Sequence, residues 1–145
     1  MIRFVLDASV ALSWCFPDEA GGYADKVLEW LAASHEPSEP VVAMVPVMWS
    51  LEVSNALLVG ERRGRLKEAQ SIQVIGYLQA LNIITDDAGQ ERTFGITLSL
   101  AREHNLSTYD AAYLELAMRL AVPLATQDKK LLAAAQNSGV VLLVI

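Results

Sequence analysis

Apolar residues recur along this chain in two modes, short continuous runs and longer stripes at helical spacing. Residues 2–6 and 41–45 are short, largely apolar runs carrying Phe and Val, the pattern of buried parallel strands. Residues 82–85 and 122–126 read as further short strands, and residues 140–145 as a last buried one. A short helix is predicted over 10–14, ahead of Pro17. After Gly21-Gly22, an amphipathic helix turns Tyr23, Val27, Leu28, Trp30 and Leu31 inward and Asp25, Lys26 and Glu29 outward. Residues 35–40 form a polar, proline-rich loop. Pro46 suits the first turn of a helix over 47–60, and further helices are predicted over 67–81, 88–104, 109–121 and 129–136. Strands alternating with helices throughout, with no repeat, low-complexity tract or linker, predict one α/β domain over 1–145 with a mostly parallel sheet.

Composition sharpens this picture in three ways. Hydrophobic residues make up 53% and charged residues 19%, which excludes general disorder. So high an apolar share for 145 residues points to surface covered by a partner chain. A single cysteine, Cys15, permits no internal disulfide, which fits a reducing cytosol. The apolar start of the chain is interrupted at Asp7, unlike a signal peptide, and no stretch is long enough to span a bilayer. The expected location is cytoplasmic. The net charge of −6, from 11 basic and 17 acidic residues, argues against a broad basic surface for nucleic acid. It argues less strongly if several carboxylates are gathered at one place and neutralised by metal.

The acids that could gather are placed suggestively. Asp7 follows a strand and precedes a helix, as does Asp128, and sites in parallel α/β sheets lie just beyond the carboxyl ends of strands. Asp110 opens the helix over 109–121. Glu52 lies on a helix in which nine of the thirteen residues from 47 to 59 are apolar, so if buried it needs a partner. Each has a plainer reading as well. Asp7 and Asp128 are suitable helix caps, Asp110 could complete a capping box begun by Ser107, and Glu52 could share a polar strip with Ser54 or Asn55. Converging without cations, the four carboxylates would repel one another, and only Lys129 and Lys130 adjoin any of them. A hard divalent cation such as Mg²⁺ or Mn²⁺ relieves that repulsion, prefers oxygen ligands and suits phosphodiester cleavage.

Four segments, in order, make the pattern specific: the strand leading into Asp7-Ala8-Ser9, then Glu52-Val53-Ser54-Asn55-Ala56-Leu57, Thr108-Tyr109-Asp110-Ala111-Ala112-Tyr113-Leu114, and Leu124-Ala125-Thr126-Gln127-Asp128-Lys129-Lys130-Leu131. With these the whole chain resembles a PIN domain, in particular the VapC-type toxins of prokaryotic toxin–antitoxin pairs. The resemblance implies a three-layer α/β/α sandwich. Asp7, Glu52, Asp110 and Asp128 become the acidic quartet that binds Mg²⁺ or Mn²⁺ and positions the attacking water. Ser9 and Thr126 become hydroxyl residues beside the acids, and Asn55 a support from the same helix face as Glu52. It further implies an endoribonuclease acting on RNA, a homodimer, and a small cognate antitoxin that holds it inactive.

Other chemistries find less support. His35 and His104 fall in a loop and at a helix end without partners nearby in sequence, and read as surface residues. There is no GxSxG turn and no P-loop. Position 9 is Ser where a haloacid-dehalogenase-type phosphatase would have a second Asp, and Asp7 lacks the adjacent acid of a receiver domain. A PIN-like module that binds protein or RNA without catalysis is the rival from another class. The basic groups Arg62, Arg63, Arg65, Lys67 and Lys129, Lys130 read equally as RNA contacts or as solvated helix-end charges. Glu115 and Arg119, four apart, read as a surface ion pair.

Overall fold

A computed structural model describes residues 1–33 and 38–145 of the chain. His35, and with it half of the loop expected at 35–40, lies outside the described residues. Strands β1 (Ile2–Leu6), β2 (Val41–Pro46), β3 (Ile83–Asp86) and β4 (Leu124–Ala125) form one sheet in the order β3-β2-β1-β4, with every neighbouring pair parallel. The helices are α1 (Ala8–Cys15), α2 (Gly22–Ala33), α3 (Trp49–Arg62), α4 (Glu68–Ala80), α5 (Leu98–His104), α6 (Thr108–Leu120) and α7 (Lys129–Asn137). The α/β class and the parallel sheet are thus as the sequence pattern predicts. Among the described residues no helix is long and apolar enough to cross a membrane.

The strand order matters for the site. The chain leaves β1, lays β2 and β3 on one side of it, and returns to the other side for β4. The crevice between the carboxyl ends of β1 and β4 is therefore a topological switch point, where the following loops diverge and leave room for a ligand. Phe4, Val5 and Leu6 of β1 and Val41, Val42, Ala43 and Val45 of β2 are buried, as continuous apolar strands in the middle of a parallel sheet must be. Helix α6 packs against β1, β2 and β4, and residues 113–117 are buried without interruption, so it is enclosed on nearly every side.

Several expectations need correction. The single helix expected over 88–104 is three pieces: a 3₁₀ turn (Ala88–Arg92), a π-helical turn (Thr93–Thr97) and α5. Gly89, Thr93, Gly95 and Thr97 are weak helix formers, and the Gly89 amide donates to Asp86 Oδ2 at 2.9 Å, tightening the start. Residues 140–145 are not a buried strand. They meet β4 through one bridge, Leu124 with Leu142, and leave Val144 exposed, because β4 offers only two residues for pairing and follows a proline that has no amide to donate. Pro46 ends β2, in register with Asp86, rather than opening α3. His104 is mostly buried and lies 3.0 Å from Ser138 Oγ, so it is not a surface residue. Arg65 stacks over the Phe16 ring at 4.2 Å and pairs with Asp18 and Glu19, so it is committed within the fold.

One close approach organises α1 and α3. A Cβ placed on Gly60 would meet Phe16 Cε1 at 2.7 Å. Glycine inside a helix costs about 1 kcal/mol relative to alanine, and here it makes room for a buried ring.

Candidate active site

The carboxyl end of β1 delivers Asp7, whose amide continues the sheet by donating to Ala125 O at 3.0 Å. Its side chain is buried, and Oδ2 accepts two hydroxyl protons, from Ser9 Oγ at 2.6 Å and Thr126 Oγ1 at 2.7 Å. Each hydroxyl has only one proton to give, so both are oriented by what they accept. Ser9 Oγ takes the Gln127 amide at 3.0 Å, and Thr126 Oγ1 takes the Asp128 amide at 3.0 Å. The two hydroxyls thereby lock the loop after β4 onto Asp7. Although Asp7 occupies the N-cap position of α1, its side chain makes no cap bond.

Glu52 lies in the first turn of α3, half-buried, and its Oε1 accepts the Tyr113 hydroxyl at 2.8 Å. This is the partner that an acid on an apolar helix requires. Asp110 stands in the first turn of α6, where the Ser107 hydroxyl accepts its backbone amide at 3.1 Å. Asp128 does cap: its Oδ1 accepts the Leu131 amide at 2.9 Å at the start of α7. The capping reading therefore holds for the Asp128 side chain and fails for that of Asp7. Asn55 is exposed, and among the described residues no hydrogen bond joins it to Glu52.

Electrostatics tie the acids together. Burial pushes the Asp7 carboxyl above its ordinary range; the bonds from Ser9 and Thr126 oppose this, and the charges of Asp110 and Asp128 add to it. Burial raises Glu52 too, against the Tyr113 bond and with the charges of Asp7 and Asp110. Asp110 is raised by burial and by Asp128, while Ser107 and Lys130 pull it down. The four acids thus share one electrostatic neighbourhood at the switch point, although residues 52 and 110 come from different helices. No group of three His, Cys, Asp or Glu among the described residues is poised to coordinate an ion as it stands. In donor chemistry the four acids nevertheless fit a hard divalent cation. All four offer carboxylate oxygen, and Asp7, Glu52 and Asp128 each hold one oxygen in a hydrogen bond while the other makes none among the described residues.

Glu115 and Arg119 are not a surface pair. Arg119 Nε donates to Glu115 Oε1 at 2.7 Å and Nη2 to Asp86 Oδ2 at 2.7 Å, and Arg92 lies 3.5 Å from Glu115. The Glu115 side chain is only 4% exposed, because the 3₁₀ turn after β3 covers this part of α6. Beside the network runs a groove of about 260 Å³ whose walls include Val47, Leu51, Thr97, Tyr109 and Leu116; none of the four acids lines it. Two residues of the site carry no expectation from sequence: Tyr113 and Gln127, the latter bonding Ser13 Oγ through Nε2 at 2.9 Å. For Tyr113 a signal existed. It follows Asp110 by one helical turn, and a buried tyrosine needs a partner for its hydroxyl.

Comparison with known proteins agrees with this geometry. Residues 4–137 match the family model described as PIN domain. The crystal structure of PAE2754 from Pyrobaculum aerophilum superposes with a TM-score of 0.65 and 25% identity, covering 92% of this chain and 79% of that one. A chain of a toxin–antitoxin complex from Klebsiella pneumoniae superposes with a TM-score of 0.57 at 19% identity, covering 89% of each. Among curated proteins there is no match. A family match over nearly the whole chain, on a parallel sheet whose switch point gathers four acids, places this protein in the PIN-domain family.

Proposed function

We propose that this protein is a metal-dependent endoribonuclease and the toxin of a type II toxin–antitoxin pair, with Asp7, Glu52, Asp110 and Asp128 as its catalytic and metal-binding acids. PIN domains are generally nucleases. The observation that carries the reading is that Asp7, Glu52 and Asp110, already burdened by burial, are raised further by one another's or Asp128's charge, with no arginine among them. A bound Mg²⁺ or Mn²⁺ supplies a polarised water and stabilises charge on the phosphate. Asp7 holds its place through Ser9 and Thr126, Glu52 through Tyr113, and Asp128 through the start of α7, so each presents an oxygen from a fixed base. Lys130, whose charge acts on Asp110, would meet a phosphate beside the acids, with Lys129 next to it in sequence.

Likeness to a chain of a toxin–antitoxin complex supports the toxin assignment. Exposed Val47, Leu51, Ile72, Phe94 and Ile96 are apolar surface of the kind that a second copy of the chain and an antitoxin would cover. A second reading, a PIN-like binding module without catalysis, draws on Asp128, whose side chain caps α7, and on the absence of a ready three-acid group among the described residues.

The test is incubation of the wild type and Asp7→Asn with a mixed structured RNA pool in Mg²⁺, Mn²⁺ or EDTA. Cleavage that needs both metal and Asp7 is the expected result, with Asp7→Asn losing it entirely. No cleavage in any condition, together with no rise in melting temperature on adding metal, would establish the binding module instead.

A further inference from the structure

Tyr113 has the bulkiest of the fully buried side chains, and its hydroxyl is the one polar atom on an otherwise apolar body. It sits one turn after Asp110 on α6 and reaches across 61 positions of sequence to Glu52 on α3. The hydroxyl proton goes to Glu52 Oε1 at 2.8 Å, and the backbone amide of Ala8, the residue after Asp7, is near enough to act on the hydroxyl oxygen. The hydroxyl therefore ties α3, which carries Glu52, to α6, which carries Asp110, beside the start of α1, where Asp7 stands. A glutamate has three rotatable bonds and would sample many positions from a half-buried helix. A phenol anchored in the core has none to spare once its ring is packed. Bonding through Oε1 leaves Oε2 for another partner.

We propose that Tyr113 is a positioning residue, whose hydroxyl fixes Glu52 so that its second oxygen faces the divalent cation, and which acts on the cation only through Glu52. The inference rests on the metal-binding reading above. A merely structural tyrosine would satisfy its hydroxyl in the same place, but its loss would not depend on what stands at position 52.

The experiment is a double-mutant cycle on Mn²⁺ binding, read by calorimetry and by the rise in melting temperature, with wild type, Tyr113→Phe, Glu52→Gln and the double variant. Tyr113→Phe should weaken Mn²⁺ binding by about 10–100-fold, the usual effect of removing a residue that orients a ligand. In the Glu52→Gln background the same change should cost less than about two-fold. Equal losses in both backgrounds, or no loss in the wild type, overturn the proposal while leaving the metal reading intact. A wild type that binds no Mn²⁺ overturns both. A second readout keeps a tyrosyl hydroxyl at position 113. In protein labelled with 3-fluorotyrosine at its four tyrosines, Mg²⁺ should move the resonance of the single fully buried one. If that resonance stays fixed at Mg²⁺ concentrations that raise the melting temperature, the proposal fails.

Discussion

Helix α6 carries two carboxylates that the fold treats in opposite ways. In its middle, Glu115 joins Asp86 around Arg119 with Arg92 nearby, and the hydrogen bonds from Arg119 hold the Asp86 carboxyl below its usual range. At its start, Asp110 joins Asp7, Glu52 and Asp128, where no arginine enters and the carboxyls of Asp7, Glu52 and Asp110 are raised. Both groups lie at carboxyl ends of parallel strands, and both are at least partly buried. The difference lies in the counter-charge. A buried acid given its cation by the chain is part of the architecture, whereas a set of acids with only Lys130 acting on one of its members is costly unless something from outside supplies more counter-charge.

The comparison is broken most directly at Arg119. Arg119→Met should destabilise the protein by about 3 kcal/mol in urea unfolding, because it leaves Asp86 with no ion pair among the described residues and Glu115 with only the more exposed Arg92. A loss under about 1 kcal/mol would mean that the network contributes little to the fold.

A sharper contrast comes from making one substitution in each group. In EDTA, Asp86→Asn should cost about 2 kcal/mol by removing a charge-assisted bond, whereas Asp7→Asn should gain about 1 kcal/mol by removing repulsion and a desolvated charge. Effects of the same sign would erase the distinction. The pH dependence follows. With its folded value depressed, the Asp86 contribution is complete above the unfolded carboxylate value and is lost as pH falls through the folded one. With its folded value raised, Asp7 carries no penalty at low pH, and the penalty grows as pH rises from the unfolded value through the folded one. Melting temperatures in EDTA between about pH 3 and 7 should therefore show wild type and Asp86→Asn converging in acid, and wild type falling below Asp7→Asn toward neutrality.

The smallest effect is expected at Asp128. Asn caps as well as Asp, so Asp128→Asn should alter stability by less than about 0.5 kcal/mol while reducing the rise in melting temperature on adding Mn²⁺. An unchanged response to Mn²⁺ would assign Asp128 to the cap alone.

Much of this was legible in the order of residues. Continuous apolar runs marked β1 and β2, and the acids just past β1 and β4 marked the switch point, because burial on both faces and the ends of parallel strands leave local signatures. What stayed hidden depended on elements distant in sequence. Glu115 and Arg119 look like an exposed pair until the turn after β3 is folded over them. Tyr113 looks like core until Glu52, 61 residues away, meets its hydroxyl. The run at 140–145 is as apolar as β2 but finds only a two-residue strand to pair with.

The glycine at position 60 has a reach beyond its own contact. Helices α1 and α3 leave the ends of neighbouring parallel strands and run back side by side. Phe16 pressing against Gly60 pins them together at their far ends. Asp7 and Glu52 stand at the near ends of the same two rods. The distance between two acids is thus governed in part by a missing methyl group about 12 Å further down the helix, and a change of one carbon there would be felt as a change in how wide the site stands open.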